Sequence, residues 1–279
     1  MKIREIIQKL EQKFPLEWQE DFDNCGVQCG DISNECSGAL VCFNFSDNVI
    51  DEAIKIGANL VVSHHPLIFR GLKKIEPKDE MGRIICKAIK NDILLYSMHT
   101  NMDSGTFGGN WLFAKKLELS DIEVLEMKNG VEEPDKSSPE IDIYKNDVSL
   151  SSVGLGRVGN LPHAMAVTEF FDFLKERLNV TRVRYSGSTA GRVIKRVAVC
   201  GGAGNSFIEA ALHSKADAYV TGDLKYHDFF RPDNRMLLVD LGHFETECFI
   251  KDILFNELNK FPGFPVRLFE NEKSGIEYY

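Results

Sequence analysis

Asn59-Leu-Val-Val-Ser-His-His-Pro66 decides the fold. Its apolar run is too short for a helix and reads as a buried strand, and it ends directly on two adjacent imidazoles. Working outward, ALVCF (39–43) is the strand before it, NVIDEAIKIG (48–57) the intervening helix, and ILLYS (93–97) the next strand, after a helix near 80–90. Short Val/Ile/Leu runs alternating with helical patterns mark α/β units around a largely parallel sheet.

The second half repeats the arrangement, with RVAVC (196–200), SFIEAALHSK (206–215), AYVT (218–221) and MLLVDL (236–241) as strand, helix, strand and strand. Shifted by 158 without a gap, residues 41–63 fall on 199–221, with identities at Val41/Val199, Cys42/Cys200, Ile50/Ile208, Ala53/Ala211, Ala58/Ala216 and Val62/Val220. Shifted by 144, His99-x3-Asp103 falls on His243-x3-Glu247. Two strand–helix–strand units resemble each other to some degree in any protein; this match reads better as a duplicated lobe. The expected organisation is a first α/β lobe over 1–125, a polar linker over 126–147 carrying two prolines, and a second lobe over 148–279 whose last strand and helix are free to pack with the first.

Composition narrows the function. With 43% hydrophobic and 27% charged residues the chain is globular rather than disordered, and at 33 − 42 = −9 it repels phosphate backbones, which argues against nucleic acid as a general partner. The opening stretch, with Ile3, Ile6, Ile7, Leu10 and Phe14, reads as an amphipathic helix and not as a signal peptide. No apolar run approaches the ~20 residues of a membrane span. Seven cysteines without an export signal point to a reducing cytoplasm. Cys25, Cys29, Cys36 and Cys42 match no paired zinc-knuckle spacing and read as buried thiols.

The polar clusters fall at strand ends. NLVVS runs into His64-His65, ILLYSM into His99 and Asp103, AYVT into Asp223, Lys225 and His227, and MLLVDLG into His243, Glu245 and Glu247. Carboxyl ends of strands deliver loops to one rim, which is where open α/β sheets bind ligands. Imidazoles with carboxylates suit Zn, Mn, Fe, Co or Ni better than Mg or Ca. His243 and Glu247, four apart at a helix start, share a face, while adjacent His64 and His65 diverge, which suits two neighbouring metals. Two cations ~3.5–4 Å apart, bridged by Asp103 or Glu247, would acidify a water. His64, His65, Asp103, His243 and Glu247 are therefore the expected ligands, and His99 either ligates or orients the Asp103 loop. Asp223, Lys225, His227 and Glu245 are candidates for substrate contact or proton transfer; His163 and His213 read as ordinary surface or core residues.

Two runs are rich in glycine. Gly154-x-Gly156-x-x-Gly159 spells a dinucleotide fingerprint, but Asn160-Leu-Pro162 follows where a helix should open, so a tight turn is preferred. Gly201-Gly-Ala-Gly-Asn-Ser206 lies between a strand and a helix and reads equally as an anion-holding loop or a plain capped turn. No P-loop and no G-x-S-x-G elbow is present.

These residues together resemble the Nif-three-like family, whose bacterial members are often labelled GTP cyclohydrolase 1 type 2 homologues. The resemblance rests on Asp23–Gly30, Gly57–Phe69, His99–Asp103, Gly154–Gly159, Val199–Gly204, Tyr219–Asp228 and Gly242–Glu247, in the family's order over nearly the whole chain. It implies two similar, interwoven α/β lobes, a dinuclear metal centre in the cleft between them held by His64, His65, Asp103, His243 and Glu247, and a homohexameric ring. It also implies hydrolytic ring opening of GTP or a related heterocycle. The 120–147 region is too short for the domain some relatives insert there. The alternative expectation is a non-catalytic metal-handling oligomer acting through protein partners.

Overall fold

The structure, a computed structural model, describes residues 1–131, 153–187 and 189–277. It is α/β with two mixed sheets, one in each of two units: Met1–Met102 with Phe249–Gly275, and Asp103–Cys248 with Ile276–Tyr279.

In the first unit, β1 (Gly26–Cys29), β2 (Ala39–Cys42), β3 (Leu60–Ser63), β4 (Leu94–Ser97) and β11 (Val266–Leu268) form a sheet in the order β1-β4-β3-β2-β11. The inner strands are parallel and fully buried, which explains their unbroken apolar runs; β1 is antiparallel to β4. Helix α1 (Ile3–Lys13) buries Ile3, Ile6, Ile7 and Leu10. Helix α2 (Asp47–Ile56) starts on Ser46, whose Oγ accepts the Val49 N–H, a cap worth about 1 kcal/mol, and stops at Gly57 with φ +72°. Helix α3 (Glu80–Lys90) starts on Asp79 in the same way. Val49, Ile50 and Ala53 of α2 and Ile84 and Ala88 of α3 join Leu40, Val61 and Leu95 of the sheet in one core.

The second unit contains β5 (Ser120–Met127), β6 (Gly154–Ala166), β7 (Arg184–Ser186), β8 (Val193–Ala203), β9 (Ala218–Gly222) and β10 (Leu237–Asp240), in the order β5-β6-β8-β9-β10-β7. Only β8, β9 and β10 run parallel. Three of its five strand pairings are antiparallel, so this sheet is less parallel than the alternating pattern suggested. Among the described residues the remaining α-helices are α4 (Thr100–Ser104), α5 (Gly109–Lys116), α6 (Val167–Leu178), α7 (Ile208–His213), α8 (His243–Glu247) and α9 (Ile250–Leu258).

The registers show how the halves correspond. The pairs Ala39↔Leu60, Leu40↔Val61 and Val41↔Val62 become Val197↔Ala218, Ala198↔Tyr219 and Val199↔Val220 on adding 158. The edge strands follow: Val27 faces Tyr96 and Tyr185 faces Val239, again 158 apart at 27 and 185. By register Ser97 corresponds to Asp240, so the second copy has one residue more before its histidine, between Asp240 and His243, than the first has between Ser97 and His99.

The chain leaves the first unit at Met102/Asp103, well before residue 125, because β5 pairs with β6 and α5 packs on β6 and β8; residues 249–275 rejoin the first unit through α9 and β11. Of the expected linker, Lys128 N–H bonds Val153 O at 2.8 Å, and 132–147 lies outside the described residues. Among the described residues no helix is long and apolar enough to cross a membrane.

Candidate metal centre

Within the first unit, the loops leaving β3 and β4 bring His64, His65 and His99 together, with one ligand atom from each lying within 4.8 Å of the others. The strand geometry dictates this: β3 and β4 are parallel neighbours in register, so their carboxyl ends open on the same edge. Each ring is aimed through Nδ1. His64 Nδ1 lies 3.0 Å from Met98 O, His65 Nδ1 2.7 Å from Asn44 Oδ1, and His99 Nδ1 2.8 Å from Asp23 Oδ1. Oxygen acceptors on Nδ1 place the proton there and the lone pair on Nε2, the arrangement of metal-ligating histidines. Asp23 also accepts the Thr100 N–H and hydroxyl. Burial would raise its carboxyl, but the hydrogen bonds from His99, Thr100 and Cys25 hold it well below the usual carboxylate range. His99 is thus oriented by Asp23 as well as being within ligand distance of His64 and His65.

Within the second unit, Asp103 and Glu247 are buried and offer carboxylate oxygens within 4.8 Å of each other. His243 Nε2 lies 2.9 Å from Glu247 Oε2, one turn along α8, and its Nδ1 lies 2.8 Å from Asp223 Oδ2. Burial lowers the His243 pKa, but the Glu247 and Asp223 carboxylates outweigh it and raise it to about 9. An imidazolium clasped by two anions is a place where positive charge is stabilised, and the His/carboxylate donor set fits a divalent transition metal.

The glycine run 201–204 turns its N–H groups to side-chain acceptors beside this site. Gly201 N–H donates to Asn110 Oδ1 (2.9 Å), Gly202 N–H to Thr246 Oγ1 (3.0 Å) and Gly204 N–H to Thr221 Oγ1 (3.1 Å). A Cβ on Gly202, at φ +61°, would overlap Glu247 Oε1, so this glycine makes room for the carboxylate. The Gly154–Gly159 run is neither a nucleotide loop nor a tight turn; it opens β6 and cradles the guanidinium of Arg157. That guanidinium is buried and donates to the carbonyls of Gly154 (2.7 Å), Gly156 (2.7 Å) and Gly105 (2.6 Å), the last two residues beyond Asp103. Burial lowers its pKa to about 10, partly offset by Cys200 and Asp103.

The other candidates divide. Asp223 is committed to His243, and the Glu245 carboxylate folds over Gly242 on the first turn of α8. Among the described residues Lys225 and His227 sit exposed at the 3-10 turn Tyr226–Phe230, and neither bonds to Asp223, His243 or Glu247. His163 is an exposed residue of β6 facing Glu169 at 3.4 Å, and His213 ends α7 rather than lying inside it. Sequence reasoning missed Asn44 and Asp240. Buried Asp240 accepts the N–H groups of Leu224 and Gly242, both at 2.9 Å, and so ties the Asp223 loop to the His243 loop. Its counterpart Ser97 donates to His64 O at 2.9 Å. A polar residue ending β4 and β10 alike is the signal that was available.

Two mixed sheets, with histidines and carboxylates gathered at the strand ends of each unit, define a two-sheet α/β protein with groups that could hold a metal ion. The family model Duf34/NIF3 (NGG1p interacting factor 3) matches residues 1–274, and the chain belongs to this family. A Clostridium perfringens protein named GTP cyclohydrolase 1 type 2 homolog is 36% identical over 250 residues, covering 88% of this chain and 87% of its own. The protein of the same name from Bacillus subtilis is 31% identical, covering 86% and 88%. Among solved structures, a Staphylococcus aureus hypothetical protein is similar over 100% of this chain and 99% of its own at 30% identity and TM-score 0.85. A Bacillus cereus protein related to NIF3 is similar over the same shares at 25% identity and TM-score 0.87.

Proposed function

We infer that the two sets of ligands act as one dinuclear centre, His64 and His65 from the first unit and Asp103, His243 and Glu247 from the second holding two divalent transition-metal ions. The observation that carries this reading is the orientation of the imidazoles: His64, His65 and His243 each engage an oxygen acceptor through Nδ1 and so direct Nε2 as the ligand atom. When bound, such a pair of cations supplies Lewis acidity and a water acidified toward neutrality.

The reaction class is hydrolytic, on a nucleotide or related heterocycle, and it is supported by the name that the relatives carry, GTP cyclohydrolase 1 type 2 homolog. In this scheme Asp223 keeps His243 oriented, Asp23 keeps His99 oriented beside His64 and His65, and Glu245, on the same turn as His243, carries a proton to or from substrate. The working unit is a cytoplasmic homohexamer, as the family resemblance implies.

The test is to incubate metal-loaded protein with GTP and a panel of nucleotides. Turnover that Glu247→Gln or His64→Ala abolishes, with the oligomer intact by light scattering, supports the enzyme. An oligomer that falls apart on chelation, with no turnover at any metal loading, supports a structural role for the metals.

A further inference from the structure

After β11 the chain continues alongside β2, with Phe269 N–H bonded to Val41 O at 2.8 Å, and this brings Glu272 over the end of β2. There β2 gives way to Phe43 and Asn44. The Glu272 carboxylate accepts the Phe43 N–H at 2.8 and 2.9 Å and the Asn44 N–H at 2.8 Å, and it takes the Lys251 ammonium of α9 at 3.0 Å. The side chains of Lys251 and Glu272 are only 14% and 7% exposed, so this is a largely shielded ion pair.

The two residues it clamps both touch the histidine pair. The Phe43 ring stacks on His64, with centroids 5.6 Å apart and planes 12° apart, and leans on His65 at 4.5 Å. Asn44 Oδ1 accepts from His65 Nδ1 at 2.7 Å, and the His65 N–H bonds Phe43 O at 3.1 Å. One carboxylate, 229 residues distant in sequence from Phe43, thus fixes the backbone from which both rings are oriented.

We propose that Glu272, neutralised by Lys251, is a positioning residue for the His64–His65 pair, acting through Phe43 and Asn44, so that the segment after β11 belongs to the metal-binding apparatus. The inference rests on the reading that these histidines are ligands. Ordering a hydrogen-bond partner of a ligating imidazole typically changes metal affinity 10–100-fold.

The experiment titrates metal-free full-length protein with Co2+, reading affinity by calorimetry and ligand geometry by visible d–d absorption. Glu272→Gln and Asn44→Ala are each expected to weaken cobalt binding about 10–100-fold and to alter the spectrum. The double variant is expected to bind more weakly than Asn44→Ala, but by less than the sum of the two single penalties, because Glu272 acts partly through Asn44 and partly through Phe43. Glu257→Gln, which breaks the 2.6 Å pair from α9 to Lys13, serves as the control for a purely structural loss: melting falls while cobalt affinity and spectrum hold. Glu272→Gln with wild-type affinity and spectrum overturns the proposal, as do penalties that add in the double variant. If Glu272→Gln does not fold, the spectrum of Lys251→Met decides, an unaltered one overturning the proposal. A wild-type chain that takes up no cobalt overturns the metal reading itself, and this inference with it.

Discussion

Glu247 Oε2 lies 2.9 Å from His243 Nε2, one helical turn away on the same face of α8. With Asp223 on the other ring nitrogen, the imidazole keeps its second proton to about pH 9, above its ordinary 6.5. A folded-state value raised in this way contributes stability that is fully present below pH 6.5 and is lost as pH rises through about 9. The metal-free protein is therefore expected to lose melting temperature across that window, and His243→Gln to flatten the loss. A melting series from pH 6 to 10 checks it; identical slopes in both proteins contradict it.

Asp223 and Glu247 should separate by magnitude. Asp223→Asn keeps the shape but weakens the acceptor on His243 Nδ1, so metal affinity is expected to fall about 10–100-fold. Glu247→Gln removes a charged ligand and is expected to cost more than that. Competition with a chromogenic chelator ranks the two, and equal affinities for both variants and wild type contradict the assignment.

Gly202→Ala tests the cradle. The new methyl overlaps Glu247 Oε1 at a φ of +61°, so about 1–3 kcal/mol of stability is expected to be lost together with metal affinity. Denaturant unfolding with and without metal measures both. A variant that keeps wild-type metal affinity shows that the carboxylate does not need this space.

Arg157→Met leaves the carbonyls of Gly154, Gly156 and Gly105 without their buried donor, a loss of about 3 kcal/mol on unfolding. Arg157→Lys is expected to recover only part, since one ammonium cannot reproduce the planar fork. Full stability in Arg157→Lys contradicts this account of the glycine run.

Much of this was legible in the residues, and what was not has a common cause. His64, His65 and His243 stand just past apolar strands whose parallel pairing is read from local pattern, so their convergence within each unit follows from chain geometry. The edge strands β1 and β7 are four and three residues long, too short for a burial pattern to announce an antiparallel partner. The clamp from Glu272 to Phe43 and the fork from Arg157 to Gly105 join residues 229 and 52 apart, and no periodicity or spacing records such a pair. Glycine-rich stretches mislead for a related reason: Gly202 and Gly156 are glycines because of what lies against them, Glu247 in one case and Leu125 in the other, and that neighbour is invisible in the local sequence.

The most direct test of the central claim is the metal content of protein purified without added metal, compared with His65→Ala from the first unit and Asp103→Asn from the second. One shared dinuclear centre predicts two ions per wild-type chain, ~3.5–4 Å apart by X-ray absorption, and a loss from both variants alike. No metal at any loading, or ions that each variant loses independently of the other set, contradicts it.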